Sequence, residues 1–346
     1  MIVDMLRHIA RGSGKRWWLA QVLVGGLSAG LGVACARSGV SKSALAETVV
    51  AQSDHAGAPA PDCREREQAH ALSDAGDTLV KRDVTRAIDS YTRAIRVYPK
   101  DHRLFWKLAL ALLRQEDWRR AEVALTRAVE LGPSFANYWF QLGNVLVMQA
   151  EEGDASAFER AKVPLKRCIE VDPNFAECHH LLGEAHEQTD DERSALLEYS
   201  RAIELDPAPG YFYGPLADVY LDLGLWPQAK SVLEEGARLI PDAEKHRFSL
   251  YNVYVLRSKL ARFEHDRAGE LKALASAEAH VSDERLEEQL FNLGSTYASM
   301  DPPEEQRAAR LLNSFRKRAC RDATPGRALE GQCGYVESVL RKLSRP

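Results

Sequence analysis

The sequence has few of the features that mark several classes of protein. It contains only 6 Cys among 346 residues, too few for a small scaffold held together by disulfides. Hydrophobic residues make up 45% and charged residues 28%, which excludes a wholly disordered chain and a polytopic membrane protein. The net charge of -4 argues against nucleic acid as the main partner. Ala, Leu, Arg and Glu are abundant instead, and they favour helices over strands.

Sequence motifs of common enzymes are also missing. There is no HExxH and no glycine-rich loop between a strand and a helix. The segment Gly12-Ser13-Gly14-Lys15 is followed by Arg16, where a phosphate-binding loop has Ser or Thr. We therefore expect a protein that is not an enzyme and has no cofactor and no small-molecule substrate.

The first 34 residues have the layout of a secretory signal. A basic start precedes an uncharged apolar run over residues 17–34. The run ends in Leu31-Gly32-Val33-Ala34-Cys35, which resembles a bacterial lipoprotein signal, although that family prefers Leu at the position of Gly32. The resemblance implies that residues 1–34 are removed and that Cys35 carries the lipid. Cleavage after Ala46, or retention of the run as a membrane anchor, remains open.

Each of these three alternatives places the rest of the chain outside the cytoplasm. We expect the periplasmic side of the cell envelope, with a lipid anchor in the outer membrane; the alternatives are a soluble periplasmic protein and an inner-membrane anchor. Residues 35–63 contain mostly small and polar residues and no aromatic residue. They are predicted to form a flexible tether after the lipid attachment site.

A repeat of about 34 residues organises the sequence from residue 64 onward. Similar short segments end in a proline, as in Ala128-Val129-Glu130-Leu131-Gly132-Pro133. These prolines are separated by 34, 40, 34 and 34 residues. They are Pro99, Pro133, Pro173, Pro207 and Pro241. The six extra residues of the long interval fall within residues 151–159.

The internal positions of the repeat resemble the tetratricopeptide repeat family. The unit that ends at Pro133 matches the consensus at Phe105, Leu108, Ala109, Leu112, Ala121, Leu125 and Ala128. Small residues let the two helices of a unit touch, and proline ends the second helix. The resemblance implies an all-α solenoid of antiparallel helix pairs over residues 64–322. It has about six to seven repeats, of which the first and the last two are degenerate, and a C-terminal capping helix within residues 323–346.

In this family the first helix of each pair lines a concave groove. The resemblance implies a partner-binding groove that changes from aromatic and apolar to acidic along its length. It would be formed by Arg103, Trp106, Leu110, Arg114, Asn137, Phe140, Asn144, His180, Glu184, Glu187, Tyr211 and Asp218. Phe140 stands where adaptors that clamp a C-terminal carboxylate have Lys. In the alternative interpretation, Trp106 and Phe140 only pack against neighbouring helices.

One cluster of histidine and acidic residues suggests an alternative function. His180, Glu184 and Glu187 lie on one face of a helix, where imidazole and carboxylate groups are suitable zinc ligands. The alternative is therefore a metal-binding or enzyme-accessory module. His179 and His186 occupy packing positions of the repeat, so we expect no metal site.

The cysteines are interpreted from the predicted oxidising compartment. Cys320 and Cys333 flank the bend before the capping helix and are expected to form a disulfide. Cys168 and Cys178 stand on adjacent helices and form either a second disulfide or small core positions. Cys63 has no assigned partner.

These features predict a non-enzymatic scaffold of the bacterial cell envelope that binds protein partners in its groove. Lipoproteins built of such repeats assist the assembly of secretins, pili or motility complexes, and the resemblance implies a role of this kind.

Overall fold

The computed structural model describes residues 61–283, 285–320 and 330–344. The described residues form fifteen α-helices and no strand, so the predicted all-α fold class is confirmed. The predicted signal segment, Cys35 and nearly all of the tether lie outside the described residues. Within the described ranges, no helix combines the length and the apolar character that crossing a membrane requires.

The described residues divide into two compact units, one that ends at residue 189 and one that begins at residue 190. The helices of the first unit are α1 (Pro61–Leu79), α2 (Val84–Val97), α3 (His102–Leu113), α4 (Trp118–Leu131), α5 (Ala136–Glu151), α6 (Ser156–Val171) and α7 (Ala176–Glu187). Successive helices pack as antiparallel pairs, α1 with α2, α3 with α4 and α5 with α6.

The second unit contains eight α-helices in its described residues. They are α8 (Glu192–Leu205), α9 (Tyr213–Asp222), α10 (Trp226–Leu239), α11 (Arg247–Phe263), α12 (Arg267–Ala279), α13 (Leu286–Ala298), α14 (Glu305–Ala319) and α15 (Glu330–Leu343). Short 3₁₀ turns at Gly210–Phe212 and Glu244–His246 lead into α9 and α11.

Aspartates begin many of the second helices. Asp83, Asp117 and Asp266 precede α2, α4 and α12, and each side chain accepts a hydrogen bond from the backbone N–H three residues later. These bonds satisfy donors that a helix start leaves open. The residues before two of these caps, Glu116 and His265, have φ angles of 58° and 57°. This left-handed conformation reverses the chain, so that the second helix folds back onto the first.

Small residues permit the close helix contacts that the repeat predicts. A Cβ atom on Gly143 of α5 would lie 2.5 Å from Cγ and Cδ2 of Leu165 on α6. The same relation holds between α13 and α14, where a Cβ on Gly294 would lie 2.7 Å from Cδ2 of Leu312. The glycines at these positions are therefore required by packing, since any side chain would collide with the partner helix.

The six extra residues lengthen a helix pair and do not form a long loop. Helices α5 and α6 have 16 residues each, whereas α3 has 12. Arg160 of α6 links this pair to α4 and to its own turn by donating to Glu122 at 2.9 Å, to Asp154 at 2.9 Å and to Gln149 at 3.2 Å.

The two ends of the array differ in detail from the sequence prediction. Helix α1 begins at Pro61, before the predicted start of the repeats at residue 64, so Cys63 lies in α1 and not in the tether. At the other end, the described part of the capping helix is α15. Its Tyr335 contacts Phe291 of α13 edge to face, with ring centroids 5.8 Å apart. The capping helix therefore covers apolar side chains of the last helix pair.

Candidate partner-binding faces

Most of the predicted groove residues lie on the first helices of the pairs. Helix α3 contributes Arg103, Trp106 and Leu110, and Arg114 follows its last residue. Arg103 donates from Nε to Oδ1 of Asp101 at 3.0 Å and from Nη2 to Oδ2 at 2.8 Å. Burial alone would raise the pKa of Asp101, but the hydrogen bonds from Arg103 lower it below its usual value. Arg103 is thus occupied by an internal carboxylate. Leu110 is half-buried and Arg114 is exposed.

Trp106 is half-buried and belongs to an aromatic cluster formed with His102, Phe135 and Tyr138. Its ring lies 5.8 Å from that of Tyr138, which stacks on Phe135 at 5.0 Å. The Tyr138 hydroxyl lies 2.8 Å from Nδ1 of His102, and burial raises the pKa of Tyr138. Phe135 is 45% exposed. The cluster therefore combines a fixed interior with an accessible aromatic edge.

The sequence did not predict this cluster beyond Trp106. Phe135 is the residue that caps the start of α5, outside the helical positions that the repeat consensus describes. His102 begins α3. The signal that would have found them is the concentration of aromatic residues in two consecutive first helices and the residue before the second, since six fall within residues 105–106 and 135–140.

Three predicted groove residues are buried, and their expected exposure was wrong. Phe140 is 1% exposed and stacks on Phe175 with centroids 5.1 Å apart. Asn144 and His180 are also buried. The reason is that α5 packs against α4, α6 and α7, so that few of its side chains reach solvent. For Phe140 the packing interpretation holds. Asn137, at the start of the same helix, is half-buried.

The metal-binding alternative is not supported. Burial lowers the pKa of His180 to about 3, so its ring is neutral near pH 7. Glu184 and Glu187 are half-buried on the same helix. Within the described ranges, no three His, Cys, Asp or Glu side chains are grouped so that they could hold a metal ion.

In the second unit, the predicted acidic residue Asp218 has a cationic partner. Lys259 of α11 places Nζ 2.6 Å from Asp218 and 3.3 Å from Asp222. Burial alone would lower the pKa of Lys259, but the two carboxylates raise it above its usual value. The negative charge that the sequence predicted for this part of the groove is therefore offset by Lys259. Tyr211 lies half-buried in a 3₁₀ turn, in edge contact with Phe212.

The structure contains two disulfides in its described residues. One joins Cys320 to Cys333, with Cα atoms 5.9 Å apart, next to the capping helix α15. The other joins Cys168 of α6 to Cys178 of α7, with Cα atoms 6.3 Å apart. Both cysteines of this second pair are buried, which explains why their positions in the sequence also fitted a core role.

The geometry defines a solenoid of helix pairs, and the comparisons identify its repeats. Models of the tetratricopeptide repeat match residues 75–122, 107–167 and 176–209, so the chain contains tetratricopeptide repeats. Such repeats generally act as protein-interaction scaffolds. A comparison with curated proteins gives no match.

Solved structures show the same fold at low sequence identity. A tetratricopeptide repeat protein from Parabacteroides merdae is 13% identical, with 81% of this chain and 100% of that chain covered and a TM-score of 0.59. The pilF protein of Pseudomonas aeruginosa is 16% identical, with 71% and 99% covered and a TM-score of 0.51. At these identities the similarity extends to the fold alone.

Proposed function

We propose that this chain is a non-enzymatic scaffold of the bacterial cell envelope that holds a segment of a protein partner against the first helices of its first unit. The observation that carries the proposal is the aromatic cluster around Trp106. Its Phe135 is exposed while its Tyr138 is fixed by ring contacts and a hydrogen bond. Rigid aromatic side chains dominate binding hot spots, because they bury a large area and lose little conformational entropy.

Leu110 and Arg114 extend this surface along α3. A partner segment with an apolar side chain would contact Trp106 and Leu110, and an acidic residue at its end would meet Arg114. Arg114 is exposed, whereas Arg103 and Lys107 already bind Asp101 and Asp77. Arg114, which caps the end of α3, is therefore the cation of this surface that a partner reaches without displacing an internal carboxylate.

The proposed location rests on the signal-like sequence and on the cysteines. Attachment of a lipid to Cys35 would hold the chain at the membrane, most simply at the outer membrane. Two disulfides within the described residues favour an oxidising compartment such as the periplasm. A role in assembling a secretin, a pilus or a motility complex accords with a lipid-anchored tetratricopeptide scaffold.

The partner face is tested by crosslinking in intact envelopes followed by capture of the chain. Trp106→Ala should weaken recovery of the partner by about 30-fold if the residue is a hot spot of about 2 kcal/mol. Trp226→Ala is the matched control, since Trp226 of the second unit is 40% exposed and stacks on Phe263. Equal recovery by the Trp106 variant and the control would show that the partner binds elsewhere. Circular dichroism of both variants establishes that the fold is intact.

The anchor is tested separately. Cys35→Ala should release the chain from the membrane fraction or block its processing. A purified chain that begins at Glu47 would contradict lipid attachment, and the partner face would be unaffected by that result.

A further inference from the structure

Charge is divided between the two helix layers of the first unit. The second helices of its pairs, α2, α4 and α6, carry ten basic and five acidic residues, a net charge of +5. The first helices α1, α3, α5 and α7 carry four basic and nine acidic residues, a net charge of -5. The whole chain is acidic, so this basic layer is a local property of one side of one unit.

The solvent-exposed side of α2, α4 and α6, here called the outer face, also presents apolar side chains. Val123 of α4 is 72% exposed and Val163 of α6 is 67% exposed. Each lies two residues after a buried alanine of its helix, Ala121 or Ala161, so the two valines occupy the same position in successive repeats. Neither valine contributes to the core that these helices form with α3 and α5.

Basic residues surround these valines at helical spacing. Arg119 and Arg127 stand four residues before and after Val123, and Arg167 stands four residues after Val163. Residues four apart share one side of a helix. Arg160 of α6 reaches Glu122 of α4 at 2.9 Å, which shows that the two helices are neighbours on this face.

Several basic residues of α2, α4 and α6 are available to an external anion. Arg96, Arg119 and Lys166 are exposed and form no ion pair within the part of the chain that the structure describes. Arg127 and Arg167 bind only exposed glutamates of their own helices, at 2.7 and 2.6 Å. Exposed pairs of this kind contribute little to stability, so a phosphate group can replace the carboxylate.

We propose that the outer face of the first unit docks on a bilayer that contains anionic phospholipid. Arg and Lys side chains would bind the phosphate groups, and Val123 and Val163 would enter the region between the headgroups. An interfacial helix combines apolar and basic side chains in this way. The inference rests on the proposed location at a membrane, because a lipid anchor keeps the outer face close to a bilayer.

A membrane fits the outer face better than an acidic protein does. An acidic protein would bind only the basic residues of the outer face, and the two exposed valines would have no role in that contact. A bilayer surface uses both, since headgroups bind the cations and the acyl boundary accepts the valines. Polybasic docking also reinforces a lipid anchor, because stable retention at a membrane generally requires two signals.

The test uses the full chain with a polarity-sensitive fluorescent amino acid at Val123. The chain is reconstituted in vesicles of phosphatidylcholine alone or of phosphatidylcholine mixed with phosphatidylglycerol. The matched control carries the same probe at Leu197 of α8, which is 69% exposed on a helix with two basic and three acidic residues. We expect the probe at Val123 to shift to blue only in the anionic vesicles and to return in high salt. The probe at Leu197 should not change.

A charge variant isolates the outer face. Arg96→Gln, Arg119→Gln and Lys166→Gln together should reduce the ratio of docked to free chain about 100-fold, at roughly fivefold for each basic residue near an anionic surface. Arg193→Gln, Lys230→Gln and Lys272→Gln form the control. They remove the same charge from α8, α10 and α12, which carry six basic and seven acidic residues.

The possible outcomes separate the inferences. An unchanged probe at Val123 in anionic vesicles, an equal shift in neutral vesicles, or equal docking by both charge variants would overturn membrane docking. A probe that responds to soluble polyglutamate but not to anionic vesicles would assign the outer face to acidic proteins. The vesicles contain no protein partner. Failure of the Trp106 face to capture a partner therefore contradicts the scaffold function and leaves the inference of membrane docking unchanged.

Discussion

Replacement of Gly143 by Ala tests whether the helix contact inside a repeat fixes the stability of the first unit. The added Cβ would lie 2.5 Å from both Cγ and Cδ2 of Leu165, and 3.4 Å from Cδ1. Leu165 is fully buried, so its side chain has no free space into which it can rotate. Either α5 and α6 separate, or Leu165 adopts a strained rotamer.

The magnitude follows from how far the atoms must move. Carbon atoms in favourable contact are about 3.5–4.0 Å apart, so the new methyl group must displace Leu165 by roughly 1 Å. Insertion of a methyl group into a packed core costs about 1–3 kcal/mol. The gain in helix propensity from Gly to Ala, about 1 kcal/mol, offsets part of this. The difference is about 0–2 kcal/mol, and the approach of 2.5 Å to two atoms of Leu165 favours its upper half. We therefore expect a net loss of roughly 1–2 kcal/mol in the free energy of opening α5 and α6.

Hydrogen exchange measures this loss locally, which suits a chain of two units. Protection of amides in α5 and α6 should fall in Gly143→Ala, while the second unit is unchanged. Gly334→Ala in α15 is the matched control, because no atom lies within 4 Å of its Cβ. This control should be neutral or stabilising by up to about 1 kcal/mol.

A double variant identifies the contact itself. Leu165→Ala alone should cost about 2–5 kcal/mol, but less in the Gly143→Ala background, where the new methyl group fills part of the vacated space. We expect a favourable coupling of about 1 kcal/mol or more. Additive effects, or full protection in Gly143→Ala, would refute the reasoning that this contact is closed to a side chain.

Two further predictions concern stability. The double variant Cys320→Ser, Cys333→Ser removes a disulfide between residues thirteen positions apart, and the free energy of unfolding should fall by roughly 3 kcal/mol. Faster amide exchange confined to α14 and α15 would support this prediction. Free thiols in the non-reduced wild-type chain would contradict it. For His180, the folded pKa of about 3 lies below the usual 6.5, so the folded state binds fewer protons than the unfolded state between these values. Stability of the first unit should therefore fall by about 1.4 kcal/mol for each pH unit below about 6.5. Urea midpoints between pH 7 and 4 measure the slope, and a His180→Leu variant with an unchanged slope would exclude this histidine as the cause.

The helix pairs could be predicted from the sequence because their determinants are local. Proline ends a second helix, aspartate begins one, and glycine or alanine marks a contact, all at nearly constant spacing. The length of α1 did not follow, since the residues before Leu72 carry no position of the repeat.

The candidate binding face was harder to predict, because exposure depends on neighbours that the repeat pattern does not specify. Phe140 and Trp106 occupy equivalent positions in consecutive repeats, yet Phe140 is buried against Phe175 whereas Trp106 remains half-buried. The difference arises from the residue that precedes each following first helix. Phe175, before α7, covers Phe140. Phe135, before α5, contacts Tyr138 and His102 instead.

Charges show the same dependence on partners outside the pattern. The pattern of its own repeat predicts Asp218 to be an acidic groove residue, but Lys259 of the next, degenerate repeat binds it. Lys107 likewise ties α3 to α1 through Asp77 and Ser73. A charged residue on a first helix therefore has to be assigned together with the first helix that follows it. When the residues are paired in this way, Arg114 at the end of α3 is the nearby cation that forms no ion pair within the described residues. The net basic charge of the first unit lies on its second helices. The two surfaces proposed here consequently differ in chemistry, one aromatic with a single cation and one polybasic with exposed valines, and variants of one should leave the other intact.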